Sequence, residues 1–219
     1  MAFHLDPNLN LPLEREHEGW TIRGIEDYAA AIGLGLKVCA VSPTQEKIWP
    51  ADEALEFRSK FFGLQFKRPY PSDDQTKWQI SASSQQHLSI CATPEIFYAL
   101  PSYINRALRL TALHHCIFWR PCKSCCQHPK GLPCISGTTQ NRSDLSACGC
   151  VNDMRWGDFV EALYRCELIE PVEPGTDTIK GFKKILSRFQ KELSRDGTPP
   201  DKEDSYDTGL YLIAIEVRA

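Results

Sequence analysis

The residue types best suited to chemistry crowd into one stretch: Cys122, Cys125, Cys126, His128, Cys134, Cys148 and Cys150. Seven of the ten cysteines fall between Cys116 and Cys150. Only Leu132, Ile135 and Leu145 are large and apolar inside this stretch, so hydrophobic burial alone cannot order it. A bound metal can, because thiolate and imidazole ligands tie distant points together and binding energy becomes folding energy. Cys122 and Cys125 have the two-residue gap of a zinc turn, and Cys148-Gly149-Cys150 forms a tighter second arm. The expected ligands are therefore Cys122, Cys125, Cys148 and Cys150, holding one zinc ion. Cys126, His128 and Cys134 are alternative ligands, or the start of a second site that Cys116 would have to join. A disulfide framework and an iron–sulfur cluster are the competing readings. The isolated Cys39, Cys91 and Cys166 read as small core residues.

Two enzyme patterns touch this stretch. Pro121-Cys122-x2-Cys125 resembles half of the zinc-dependent nucleobase deaminase motif. That family also needs a His-x-Glu, the Glu moving protons. Neither His87-Leu88-Ser89 nor His114-His115-Cys116 supplies it, so deaminase chemistry is not expected. His114-His115, followed by Asn141 and a late cysteine pair, loosely resembles the His-Asn-His nucleases, in which a histidine activates water. The late histidine is missing, and both histidines also suit a helix C-terminus. No nucleophile elbow or phosphate-cradling glycine loop is present.

Arg120, Lys123, Lys130 and Arg142 face the single acid Asp144 in the cysteine stretch, so a zinc-folded platform there could touch phosphates. Trp119 could stack on a base. Lys180, Lys183, Lys184, Arg188 and Lys191 give the 179–195 helix a second basic surface. Both must act locally, because the whole chain carries a net charge of −3.

These residues need a scaffold. An extended arm is expected over 3–19, a helix over Ile25–Leu34 that Gly33 or Gly35 can end, and a strand over Leu36–Val41. Asp52–Phe62 begins acidic and ends basic, which suits a helix dipole. Trp78–Ala82 and His87–Ala92 alternate like a hairpin. Short helices follow Thr93 and Ser102, the second running to His114. Cys116–Trp119 is a strand, and Asn152 or Asp153 caps a helix to Cys166. Ile179–Leu193 is the clearest amphipathic helix, and Gly209–Val217 a closing strand. Without a regular βαβ rhythm this is an α+β protein, a mostly antiparallel sheet packed by helices. It forms a single domain over 1–219, with 120–151 as an inserted zinc-binding segment.

The 219 residues, 42% hydrophobic and 24% charged, suffice for a real core. The opening residues lack the basic-then-apolar pattern of a secretory signal, which with the many cysteines suggests a reducing, cytoplasmic setting. The expected function is a non-catalytic, zinc-containing accessory subunit of a nucleic-acid-handling assembly, with protein partners and no membrane. A metal-dependent hydrolase of nuclease type and a protein-binding adaptor are the alternatives.

Overall fold

A computed structural model describes residues 11–41, 49–57, 60–72, 75–121, 140–142, 145 and 153–169. It shows helices packed on a mostly antiparallel mixed sheet. The expected helix 179–195, the strand 209–217 and the cysteines from Cys122 to Cys150 lie outside the described residues.

The first element is helix α1, Glu14–Ala31. It begins well before Ile25, inside the stretch read as an extended arm. Glu16 starts it by reaching back to accept from the Leu13 amide at 2.8 Å. The buried stripe is His17, Thr21, Ile25 and Ala29, one residue every fourth position. Two of these four are polar, so hydrophobic periodicity alone missed the first two turns. Gly33 ends the helix at φ 67°, as expected of a residue free to turn left-handed.

Strand β1 is Leu36–Ala40, close to expectation. Asp52–Phe62 is not a helix. Glu53–Phe57 is strand β2, and Lys60–Phe66 is strand β3, buried along its whole length. Their pairing is antiparallel, Glu53 opposite Leu64 and Leu55 opposite Phe62. Ala54 packs on one side of the sheet and Leu55 on the other, which is strand alternation. Pairing with neighbours on both sides outweighs the helix propensity of Glu, Ala, Leu and Lys.

The expected hairpin is replaced by β4 (Pro69–Ser72), β5 (Gln75–Trp78) and helix α2 (Gln85–Ala92). Ser84 caps α2 by accepting from the His87 amide at 3.1 Å. His87, Ile90 and Cys91 are buried, and that i, i+3, i+4 spacing explains why an alternating reading was false. After Thr93 comes no helix but strand β6, Ile96–Pro101, entirely buried. Arg106–His115 is a 3₁₀ segment, kinked at Thr111, rather than an α-helix. Strand β7, Cys116–Trp119, is as expected. Strand β8 is Gln140–Asn141, and helix α3 is Trp156–Tyr164.

The main sheet runs β1-β2-β3-β6-β7. Among the described strands only β3 and β6 pair in parallel, joined by the crossover that contains α2. A second, small sheet runs β4-β5-β8. Side chains alternate along β6. Phe97 and Ala99 join α1 and α3 on one face, while Ile96, Tyr98 and Leu100 join α2 on the other. Phe159 of α3 anchors the first face, its ring 4.9 Å from Phe97 and 4.7 Å from Phe118. Met154 and Leu163 are buried, whereas Cys166, expected as a core residue, is exposed at φ 59°.

Candidate functional site

One end of the main sheet gathers polar groups instead of apolar ones. Asp52 sits just before β2, and its amide donates to Leu64 O at 2.9 Å, which places it opposite Gln65. Asp52 Oδ2 accepts from the Phe66 amide and from Gln65 Nε2, both at 2.6 Å. Gln65 is 2% exposed and alternates with Leu64 and Phe66, so its amide faces α2. There Gln86 Nε2 donates to Gln65 Oε1 at 2.9 Å, and Lys67 Nζ donates to Gln86 Oε1 at 3.0 Å. Asp52, Gln65, Gln86 and Lys67 thus form one continuous hydrogen-bonded chain.

Helix α1 brings acids to the same end. Glu14 Oε2 accepts from the Arg68 amide at 2.8 Å. Burial pushes the Asp52 carboxyl up to about 7; the Phe66 amide and the Lys67 charge pull it down, while Glu14 and Glu18 raise it. Glu53 points to the α1 side. Burial first, then the charge of Glu18 and a hydrogen bond to it, raises the Glu53 carboxyl. Two buried carboxyls held well above their usual range, beside further acids and a lysine, are costly in a merely structural role. A cation placed here would replace the missing counter-charge.

Among the described residues, no three His, Cys, Asp or Glu side chains converge closely enough to hold a metal by themselves. The donor set fits a hard cation of the Mg²⁺ class all the same. Such an ion keeps most of its waters and needs only one or two carboxylates plus substrate phosphates. Asp52 offers one carboxylate, and Glu18 and Glu14 are its nearest acidic neighbours in charge.

No known protein family, curated protein or solved structure matches this chain.

Of the residues singled out from sequence, Cys122, Cys125, Cys148, Cys150, Lys123 and Lys130 lie outside the described residues. Arg120 is engaged internally, donating to Pro94 O and Leu168 O at 3.0 Å each and lying 5.5 Å over the Phe97 ring. Arg142 pairs with Asp153 at 2.5 Å. Trp119 cannot stack on a base: it is fully buried, layered against His87 and Tyr98. Cys116 is equally buried, and burial pushes its thiol far up. Cys91 is buried as expected but is disulfide-bonded, its partner lying outside the described residues. His114 and His115 end the 3₁₀ segment, and Asn141 lies in β8.

The cluster at Asp52 was missed because 52–62 was read as one helix, which scatters Asp52 from Gln65 and Lys67. The signal was present: an acid, an alternating strand, then Gln65-x-Lys67, two polar residues on one face of a strand end.

Proposed function

We propose that this chain is a divalent-cation-dependent phosphodiester hydrolase acting on nucleic acid. The supporting observation is the hydrogen-bonded chain Asp52–Gln65–Gln86–Lys67 lying beside the acids of α1. Asp52 would hold the cation through its carboxylate, with waters and a substrate phosphate completing the shell. When bound, the ion would polarise the phosphate and make a bound water more acidic. Lys67 is held by Gln86, its ammonium at one end of the hydrogen-bonded chain. There it would neutralise charge building on the phosphate and orient the attacking water. Glu14, tied to the chain at Arg68, keeps α1 against the end of β3.

The test is incubation of linear and circular DNA and RNA with Mg²⁺ or Mn²⁺. Cleavage that EDTA stops, and that Asp52→Asn and Lys67→Ala abolish without unfolding the protein, is the expected result. If the pure protein binds nucleic acid but never cuts it with any of these ions, the hydrolase reading fails. A zinc-containing accessory subunit then becomes the better account.

A further inference from the structure

The small sheet grows directly out of the candidate site. Lys67 ends the site, and Arg68 and Tyr70 follow it into β4. Tyr70 lies opposite Lys77 on β5, and Arg68 is two residues from Tyr70, so all three share one face. The opposite face is the buried one, since Trp78 is 1% exposed and donates to Pro101 O at 2.9 Å. The shared face is therefore turned toward solvent, with Arg68, Tyr70 and Lys77 each part-exposed.

Among the described residues, the Arg68 guanidinium has no carboxylate partner, and its Nε is shielded from water without a hydrogen bond. It lies 5.6 Å over the Tyr70 ring. Lys77 has no ion-pair or hydrogen-bond partner for its ammonium among the described residues. The Tyr70 hydroxyl makes one long contact, 3.4 Å to Gln79. Five other basic side chains, Arg23, Lys37, Arg106, Arg142 and Arg165, are paired with acids. Glu14, which accepts from the Arg68 amide, belongs to the site.

We propose that this face binds single-stranded nucleic acid and leads it to the cluster at Asp52. The inference rests on the hydrolase reading for its destination, not for the binding itself. Arg68 and Lys77 would take backbone phosphates, and the Tyr70–Arg68 stack would offer a flat surface to an unpaired base. A duplex keeps its base faces stacked inside and has nothing to lay on Tyr70. Three residues of extended chain span at most about 10 Å, so one bound strand can touch both Tyr70 and Lys67.

The experiment measures binding of a fluorescein-labelled oligothymidylate and of a duplex of equal length, in EDTA, over a salt series. The expected result is single-strand binding that Tyr70→Ala weakens roughly 5- to 100-fold and Tyr70→Phe preserves. Changing Arg68 and Lys77 together to Gln should flatten the log–log salt slope by about 1.4, or about 0.7 for each phosphate released. Lys77→Gln alone, on the open face, should take about half of that and guards against a folding defect. Undiminished single-strand binding by these variants, no binding by the wild type, or equal loss on duplex would overturn the inference. Cleavage measured separately with Mn²⁺ keeps the two ideas apart. Cutting without any effect of the three residues sinks the inference alone, and binding through them without cutting sinks the hydrolase alone.

Discussion

The dependence of stability on pH can be worked out from four buried groups. His17 is fully buried, and burial pushes it down to about 3; its Nδ1 lies 2.9 Å from the Tyr103 hydroxyl. Burial pushes His87 down to about 4. Both are neutral when folded, yet the unfolded chain takes up protons near 6.5. Below that pH the unfolded state binds up to two more protons, so stability falls as pH falls, by about 1.4 kcal/mol per pH unit for each histidine. Asp52 and Glu53 act in the opposite sense. Their raised carboxyls hold protons in the folded state that the unfolded chain releases above roughly 4.5. That stability is present at low pH and lost as pH rises through about 7. Between pH 5 and 6 the two pairs nearly cancel, giving a plateau. Below pH 4 His87 takes up its proton in the folded state as well, so His17 alone lowers stability further, down to about pH 3. Replacing His17 with Gln removes one of the opposing protons. The variant should then gain about 1 kcal/mol per unit as pH falls from 6 to 5, allowing for the part-exposed Asp52. Urea unfolding followed by tryptophan fluorescence in EDTA at constant ionic strength reads this directly. Parallel profiles for variant and wild type over that interval would show that His17 is not held neutral, and the reasoning would fail.

Gly63 leaves no room for a side chain, since a Cβ there would lie 2.7 Å from both Ala51 Cβ and Trp49 Nε1. Gly63→Ala should cost about 1–3 kcal/mol by thermal or urea unfolding, and an unchanged midpoint would contradict the packing. Gln86→Ala breaks both of its links to the site and should lower kcat for cleavage at least tenfold while Tm moves little; unaltered kcat would remove Gln86 from the site's support. Elemental analysis should find about one zinc per chain, lost together with protease resistance in Cys122→Ser or Cys148→Ser; zinc-free protein with those cysteines in disulfides would rule the metal out.

Strands and helices whose buried stripe is apolar were legible in the sequence: β1, β7, and α3 with Phe159 and Leu163. The stop at Gly33 was legible too, because only backbone freedom was needed to read it. The start of α1 was not, because its buried positions there are His17 and Thr21, which pair with each other and with Tyr103. β2 was illegible for a different reason. Glu53 and Glu56 are helix formers, and only pairing with β1 and β3 makes them strand. The site vanished with that misreading. Gln65 and Lys67 look like ordinary polar residues until register sets them beside Asp52. The cysteine stretch was the loudest chemical signal in the sequence, and its ligands lie outside the described residues.

The parallel pairing of β3 with β6 has a bearing on folding order. Strands β1, β2 and β3 are consecutive in sequence, so their contacts close smaller loops than the pairing of β3 with β6 does. β6 meets β3 only after the chain has travelled through β4, β5 and α2, a much larger loop whose closure entropy must be met before any contact forms. Asp52 and Gln65 belong to the early, local meander. Gln86 rides on α2 and comes into place only when the crossover docks. The meander can thus bring the acid and the amide together first, while Lys67 is fixed in position only once the distant half of the sheet has closed.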